Sequence, residues 1–320
     1  GWNLAEIWSG TGIATNWLVV HQQGHPGYIY LIGGVYYLVG QSPLVCQGLN
    51  WVIGSFTIFL TFLIAKKMFD RRVARYSALF VAFMPAFILW SAQMLKDAII
   101  IFFICVCVYS VMNLQDRFNL MYGLLWAVTL VALYYFRMYL FYIMGVTSAV
   151  SLVIGHRGGM VPALVAIGIF VGGFAFVAQK SGFMTELAEM QEKQLGTEQD
   201  SFKRIHNLRK SLAGYGSGGY RVGSSFYEDI DISTPGKAIL FLPIGFIYLM
   251  LAPFPWMVKN LRQAITLPEM LIWWYLIPSL IRGLAYGIRE RFRYITTPLL
   301  FTSGLTLIYA LLQGNVGTAY

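Results

Sequence analysis

Long stretches of the chain contain no Asp, Glu, Lys or Arg. None occurs between Glu6 and Lys66, and further charge-free stretches follow at residues 76–95, 98–115, 118–136, 138–156, 158–179, 238–258 and 294–320. A helix needs about 20 mostly apolar residues to cross the hydrocarbon core of a bilayer. The apolar residues are contiguous rather than alternating, which favours helices over the strands of a membrane barrel. The pattern therefore predicts a polytopic helical membrane protein.

We expect an all-α bundle of about nine transmembrane spans. They are predicted at residues 43–65, 74–92, 97–114, 119–136, 138–155, 160–178, 237–257, 268–285 and 294–313. The segment 27–40 is short for a span, and it could be an interfacial or a re-entrant helix.

The spans divide the chain into three predicted parts. An N-terminal membrane part covers residues 1–178 and a C-terminal membrane part covers 237–320. Between them, residues 179–236 form an extracytoplasmic soluble insertion, helical at first and then rich in glycine. This insertion could cover a substrate groove as a lid, or it could be a solvated excursion without chemistry.

Composition and charge agree with a membrane location. Hydrophobic residues make up 58% of the 320 residues and charged residues only 12%, about half the usual charged fraction. The net charge of +9 resides between apolar runs, so we expect it to orient a multi-pass protein in the plasma (inner) membrane and no nucleic acid as partner.

The strongest basic cluster is predicted to face the cytoplasm. It comprises Lys66, Lys67, Arg71, Arg72 and Arg75. Counting spans from this cluster places Lys96, Asp97, Arg137, the insertion and the region Arg289–Arg293 on the opposite, extracytoplasmic side.

Ionisable residues near membrane depth are the candidates for chemistry, because they are costly there. Asp97 begins a predicted span: it could be a charge at a helix N-terminus, or it could face a cavity where it binds a divalent metal or orients a sugar hydroxyl. Arg137 could extend to the interface or pair with a phosphate. No phosphate-binding glycine motif for a nucleotide is present.

A second group of arginines is predicted to lie on the side where positive charge is sparse. Its members are Arg282, Arg289, Arg291 and Arg293. Either the span count is displaced by one, or these guanidinium groups bind an anionic ligand such as the phosphate of a lipid carrier, which their planar fork fits.

Several motifs resemble the GT-C superfamily of polytopic glycosyltransferases, which includes protein O-mannosyltransferases and aminoarabinose transferases. His25-Pro26 matches the His-Pro turn of that superfamily, Met68–Ala74 its cytoplasmic turn, and Asp97 its acidic outer loop. RFRYITTPLL, with Arg293 and Tyr294, is similar to the start of its late helix.

The resemblance implies transfer of a sugar from a polyprenyl-phosphate donor to a glycan, lipid or protein acceptor at the extracytoplasmic face. It implies donor binding by Arg137, Lys96, Tyr294 and the second arginine group, a groove at His25, and Asp97 as a catalytic or metal-binding carboxylate. No cofactor is implied with certainty, and a divalent metal ion stays open.

One departure concerns the superfamily's catalytic aspartate, which lies upstream of the His-Pro turn. The only acid available there is Glu6, so either Glu6 replaces the aspartate or the chain is truncated, and we expect truncation at both ends. The alternatives in function are a polysaccharide polymerase or ligase acting on undecaprenyl-linked glycans, and a transporter or flippase.

Overall fold

A computed structural model describes residues 1–9, 27–117, 119–155, 231–258 and 261–312, together with isolated positions between them. These residues are helical or lie in the connections between helices, and none of them forms a strand. The predicted all-α class is confirmed. The predicted span 160–178 and nearly all of the predicted insertion lie outside the described residues.

Eleven α-helices follow one another along the described chain. They are α1 (Trp2–Trp8), α2 (Gly27–Val39), α3 (Pro43–Met68), α4 (Arg71–Ala82), α5 (Pro85–Ala92), α6 (Asp97–Asp116), α7 (Leu120–Phe136), α8 (Met138–Gly155), α9 (Pro235–Leu251), α10 (Leu261–Glu290) and α11 (Phe292–Leu312). A short 3₁₀ turn, Pro255–Met257, lies between α9 and α10.

Five of these helices are long and apolar enough to cross a membrane: α3, α6, α8, the part Leu267–Glu290 of α10, and α11 up to Leu311. The predicted span 74–92 is broken, because α4 and α5 meet at an angle of 55° and together make a sixth candidate. Pro85 begins α5, and a proline removes a backbone donor and disfavours helical geometry in the residue before it. The polytopic bundle is thereby confirmed for the described residues.

Helix starts in this region follow from local side-chain chemistry. Asp70 precedes α4 and its carboxylate accepts a hydrogen bond from the Val73 amide at 2.7 Å. Asn119 caps α7 in the same way through the Met121 amide, at 2.9 Å. Such caps satisfy amides that have no partner within the helix.

The chain forms two compact units. The first contains residues 1–170 and 285–301, and the second contains 171–284 and 302–320. In the first unit α6 is central, since it packs against α3, α7 and α8 and has the longest series of buried residues among these helices. In the second unit, the indole of Trp273 donates to the Met250 carbonyl at 2.8 Å and ties α10 to α9.

The helix ends of the first unit belong to two groups at the two ends of α6. Asp97 and Arg137 lie together at its N-terminal end, which we call the Asp97 end. Lys67 and Arg293 both pair with Asp116 at its C-terminal end, which we call the Lys67 end. A helix of 20 residues is about 30 Å long, so the two ends are a bilayer core apart.

This arrangement corrects the predicted orientation of the arginines near residue 290. The span count placed Arg289–Arg293 across the membrane from the Lys66–Arg75 cluster, whereas Arg293 and Lys67 share the carboxylate of Asp116. Gly155, at the end of α8, lies beside the Arg293 side chain, so the end of α8 and the start of α11 are both at the Lys67 end. The prediction that Arg293 lies across the membrane from this basic cluster is therefore wrong.

Candidate functional site

The Asp97 end contains a charge pair between two helix termini. Arg137 Nη2 donates to Asp97 Oδ1 at 2.6 Å, and both side chains are 27% exposed. Asp97 is the first residue of α6, where a carboxylate is favoured by the helix dipole. Asp97 thus has the position of the first reading, a charge at a helix N-terminus, whereas the second reading, that it binds a metal or orients a sugar hydroxyl, stays a prediction.

Arg137 owes its position to an interruption between two helices. It is the single residue between α7 and α8, and its backbone is extended. Its side chain makes a second contact, in which Nη1 donates to the Tyr139 hydroxyl at 2.9 Å. The guanidinium is therefore held at two nitrogens by two partners.

Lys96 adds a second positive charge beside the pair. It directly precedes α6, so it lies in the connection that also carries Asp97. Burial, and then the nearby charge of Arg137, lower the pKa of Lys96, while Asp97 opposes this shift. Two cations and one carboxylate make the site suitable for an anion, because an added negative charge relieves the repulsion between the cations.

Asn50 of α3 holds the connection before Asp97 through two hydrogen bonds. Asn50 is fully buried, and its amide nitrogen donates to the carbonyls of Gln93 at 2.7 Å and of Leu95 at 3.0 Å. Asn50 is not among the candidate residues predicted from the sequence. An asparagine within the apolar run of a predicted span is the signal that could have found it, since polar side chains there need a partner.

The start of the chain also packs at this end. Ala5 of α1 forms a cluster with Ile32, Tyr36 and Cys46, and Met94 of the connection before Asp97 packs against it. Glu6, predicted as a catalytic acid, lies on α1 and is partly exposed. Its catalytic role stays a prediction.

His25, predicted to line the groove, lies outside the described residues. Gly27, the first residue of α2, packs against the end of α7. A Cβ at Gly27 would come within 2.8 Å of the Tyr135 carbonyl oxygen, so the close approach of α2 to the residues before Arg137 requires glycine.

A metal ion would need more ligands than the described residues supply around Asp97. No group of three or more His, Cys, Asp and Glu side chains gathers anywhere in the described part of the chain. Divalent ions such as magnesium take several oxygen ligands, whereas Asp97 is a single carboxylate already paired with a guanidinium. These residues do not fit a metal site, and we derive no chemical step through a metal.

The Lys67 end holds a different cluster, centred on Asp116. Its carboxylate pairs with Lys67 Nζ at 2.6 Å and with Arg293, and it accepts a hydrogen bond from the Tyr294 hydroxyl at 2.7 Å. The side chains of Lys67 and Arg293 are 18% and 17% exposed. Neither Lys67 nor Asp116 was identified as a partner of Arg293, because residues far apart in sequence give no local signal of a pair.

A buried polar network surrounds this cluster. Gln115 donates through Nε2 to the Ser151 hydroxyl at 2.8 Å, and the Ser151 and Thr297 hydroxyls are 2.5 Å apart. Each of these three side chains is fully buried. The network joins α6, α8 and α11, which is the typical use of polar side chains between membrane helices.

The predicted donor-binding set is thus divided. Arg137 and Lys96 lie with Asp97, whereas Arg293 and Tyr294 lie at the other end of α6. Arg289 and Arg291 flank the turn into α11 and are exposed. Arg282 belongs to the second unit and is exposed there. The structure therefore does not bring Arg293 and Tyr294 together with Arg137 and Lys96, because the two groups lie at opposite ends of α6.

Residues 23–178 match the family model of the dolichyl-phosphate-mannose-protein mannosyltransferases. The match covers just under half of the 320 residues and supports a membrane glycosyltransferase of the GT-C type. The resemblance inferred from the motifs is confirmed, and the matched region contains α2 to α8 with Lys96, Asp97 and Arg137. Arg293 and Tyr294 lie outside it. Comparisons with characterised proteins and with solved structures find no match.

Proposed function

We propose that this membrane glycosyltransferase transfers a sugar from a polyprenyl-phosphate donor to a glycan, lipid or protein acceptor at the extracytoplasmic face. The observation that carries the proposal is the pair of Asp97 and Arg137 with Lys96 beside it, at the membrane end opposite the Lys67 end. The site combines a carboxylate with two cations, which are the groups that such a transfer requires.

The two cations stabilise the leaving phosphate. In the transfer, the bond between the anomeric carbon and the phosphate oxygen of the donor breaks, and the phosphate leaves with the electron pair. Arg137 and Lys96 stabilise the negative charge that develops on this oxygen, and preorganised charges of this kind are a large contribution to catalysis. The Arg137 fork also fits phosphate oxygens in paired hydrogen bonds.

Asp97 activates the acceptor hydroxyl. As the new bond forms between the acceptor oxygen and the anomeric carbon, the hydroxyl proton passes to the Asp97 carboxylate as general base. The transition state resembles an oxocarbenium ion, as in glycoside hydrolysis, and a neighbouring carboxylate also stabilises its positive charge. Arg137 holds Asp97 in place through the 2.6 Å hydrogen bond.

The distribution of basic residues supports the proposed side of action. With the corrected orientation, Lys66, Arg71, Arg72, Arg75, Arg117, Arg289 and Arg291 are all exposed at the Lys67 end. Lysine and arginine are enriched in cytoplasmic loops, so this distribution supports a Lys67 end that faces the cytoplasm and an Asp97 end that faces the outside. The arginines that contradicted the charge asymmetry now conform to it.

The test compares the two aspartates at the ends of α6. Asp97→Asn is expected to lower the release of labelled sugar from polyprenyl-phosphate-mannose or polyprenyl-phosphate-arabinose by about 100-fold or more, because the general base is lost. Asp116→Asn, also paired with an arginine, is the matched control and should retain turnover per folded molecule. Equal turnover by Asp97→Asn and the unchanged protein, or no release from either donor, would contradict the proposal.

A further inference from the structure

Asn50 is a buried polar residue within a mostly apolar helix. It lies on α3, a candidate membrane span, and its side chain is fully buried. An amide removed from water costs free energy unless it is hydrogen-bonded, so its position calls for a physical reason.

The reason lies in the connection between α5 and α6. That connection consists of residues 93–96, and two of its carbonyls, those of Gln93 and Leu95, accept from the two hydrogens of the single Asn50 amide. These carbonyls belong to neither helix, so Asn50 supplies the donors that regular secondary structure does not. The connection leads directly to Lys96 and Asp97.

Tyr28 of α2 supports Asn50 from the other side. The Tyr28 hydroxyl and Asn50 Oδ1 are both buried, and neither reaches a hydrogen-bond partner in the described part of the chain. The two side chains are close enough to interact, and the negative charge of Asp97 is also near the Tyr28 hydroxyl. A small closure would let the hydroxyl donate to Oδ1 and fix the rotation of the amide.

We propose that Asn50 is a positioning residue for the reaction, and that it holds the backbone of residues 93–96 so that Asp97 and Lys96 meet the donor in the productive geometry. This inference rests on the proposed function of Asp97. The Asn50 side chain donates to the backbone carbonyls of the connection, so it acts through the connection rather than on the substrate.

The consequence is a specific effect on the chemical step. When Asn50 is lost, Asp97 keeps its pairing with Arg137 but the connection before it is released from α3. A displacement of about 1 Å in a reacting group can cost about 100-fold in rate, whereas donor binding depends on longer-range attraction between charges.

The experiment uses Asn50→Leu, which keeps the size but removes the donors, and Asn50→Ser, which keeps a hydroxyl too short to reach both carbonyls. In membranes that contain the full chain, we expect kcat for polyprenyl-phosphate-mannose to fall by about 10- to 100-fold in each variant. KM is expected to change by less than about 3-fold, because Arg137 and Lys96 remain.

Asn113→Ser and Asn113→Leu are the matched controls. Asn113 is also an asparagine of a membrane helix, with hydrogen bonds to Lys67 at 2.8 Å and to the Tyr109 carbonyl at 2.7 Å, but it lies at the Lys67 end. These variants are expected to lower thermal stability without lowering kcat per folded molecule. If the Asn113 and Asn50 variants lose kcat alike, the effect is one of stability and the inference is overturned.

A second readout does not depend on turnover. The lowered pKa of Lys96 makes its amine a better nucleophile near neutral pH than an ordinary lysine, so Lys96 should be acetylated readily by limiting acetic anhydride. Release of the connection in the Asn50 variants should change the rate of this labelling several-fold, because it changes the burial of the Lys96 amine, whereas an unchanged rate would contradict the inference. If Asp97→Asn lowers turnover and the Asn50 variants do not, the proposed function stands and this inference alone fails.

Discussion

Arg137 uses separate nitrogens for its two contacts at the candidate site. Nη2 binds Asp97 and Nη1 binds the Tyr139 hydroxyl, so the guanidinium plane is fixed at one end by protein partners. Lysine has one nitrogen and no plane, and it cannot reproduce this geometry.

We therefore expect Arg137→Lys to lower kcat/KM for a polyprenyl-phosphate sugar by at least about 10-fold, and Arg137→Ala by more, because transition-state charge on the phosphate is then less well stabilised. Tyr139→Phe removes only the neighbouring hydroxyl and is expected to cost less than about 5-fold. Steady-state kinetics of the three variants check this order, and full activity of Arg137→Ala would exclude Arg137 from the site.

Lys96 gives the site a dependence on pH. Its lowered pKa means that Lys96 loses its proton at a lower pH than an ordinary lysine, and a bound phosphate anion favours the charged form. Donor binding should therefore weaken as pH rises through the lowered pKa. The unfolded chain binds the same proton more tightly, so this group makes the free energy of unfolding rise with pH between the two pKa values.

Measurements of KM against pH test this effect. In the unchanged protein KM should increase on the alkaline side, and in Lys96→Met it should be higher throughout and lack that increase. An identical alkaline increase in both proteins would show that another group titrates.

At the scale of helices, α11 is joined to α6 by Arg293. Its guanidinium pairs with Asp116, and its Nε and Nη1 are buried without a partner among the described residues. The family-like motif around Arg293 and Tyr294 had suggested phosphate binding, but both side chains bind the same carboxylate. The structure thus supports a role in packing for them.

Arg293→Met tests this role. It leaves the partly exposed Asp116 with Lys67 and the Tyr294 hydroxyl, and we expect a loss of about 2 kcal/mol in the free energy of unfolding, reduced from the value for a fully buried pair by solvent. Thermal denaturation in detergent measures the loss. The KM for the donor in the folded fraction should not change; an increase of 10-fold or more would return Arg293 to the donor site.

The close packing of α8 against α6 depends on Gly155. A Cβ at this position would overlap the Gln115 amide, which binds Ser151, and would also press on the Arg293 side chain. Gly155→Ala is therefore expected to cost about 1–3 kcal/mol through overpacking.

Gly123→Ala in α7 is the matched control, because no atom lies within 4 Å of a Cβ there. It should be neutral or stabilise the helix by about 0.5–1 kcal/mol. Comparison of melting temperatures checks the pair, and equal effects of the two substitutions would show that the α6–α8 contact is looser than described.

At the scale of the whole molecule, the sequence predicted the helical class and most span positions because apolar length is a local property. The predicted spans 97–114 and 138–155 correspond closely to α6 and α8. Asp97 and Arg137 were both identified, but their pairing was not, since contacts between residues 40 positions apart leave no local pattern.

The orientation near residue 290 failed for a different reason. A span count accumulates its errors, so a single error exchanges the predicted sides of every later segment. The charge distribution already indicated an error, because arginines on the outside contradict the usual distribution of basic residues. The ion pairs of Asp116 resolved this conflict, since they fix Arg293 relative to Lys67 directly.

The accessibility of single cysteines to a membrane-impermeant maleimide tests the central claim most directly. Gln93→Cys reports on the Asp97 end, Glu290→Cys on the α10–α11 turn, and Lys66→Cys is the reference for the basic cluster; all three positions are exposed. We predict labelling of Gln93→Cys in intact cells, and of the other two only after permeabilisation. Labelling of Glu290→Cys from outside together with Gln93→Cys, or of Lys66→Cys instead of Gln93→Cys, would contradict the account.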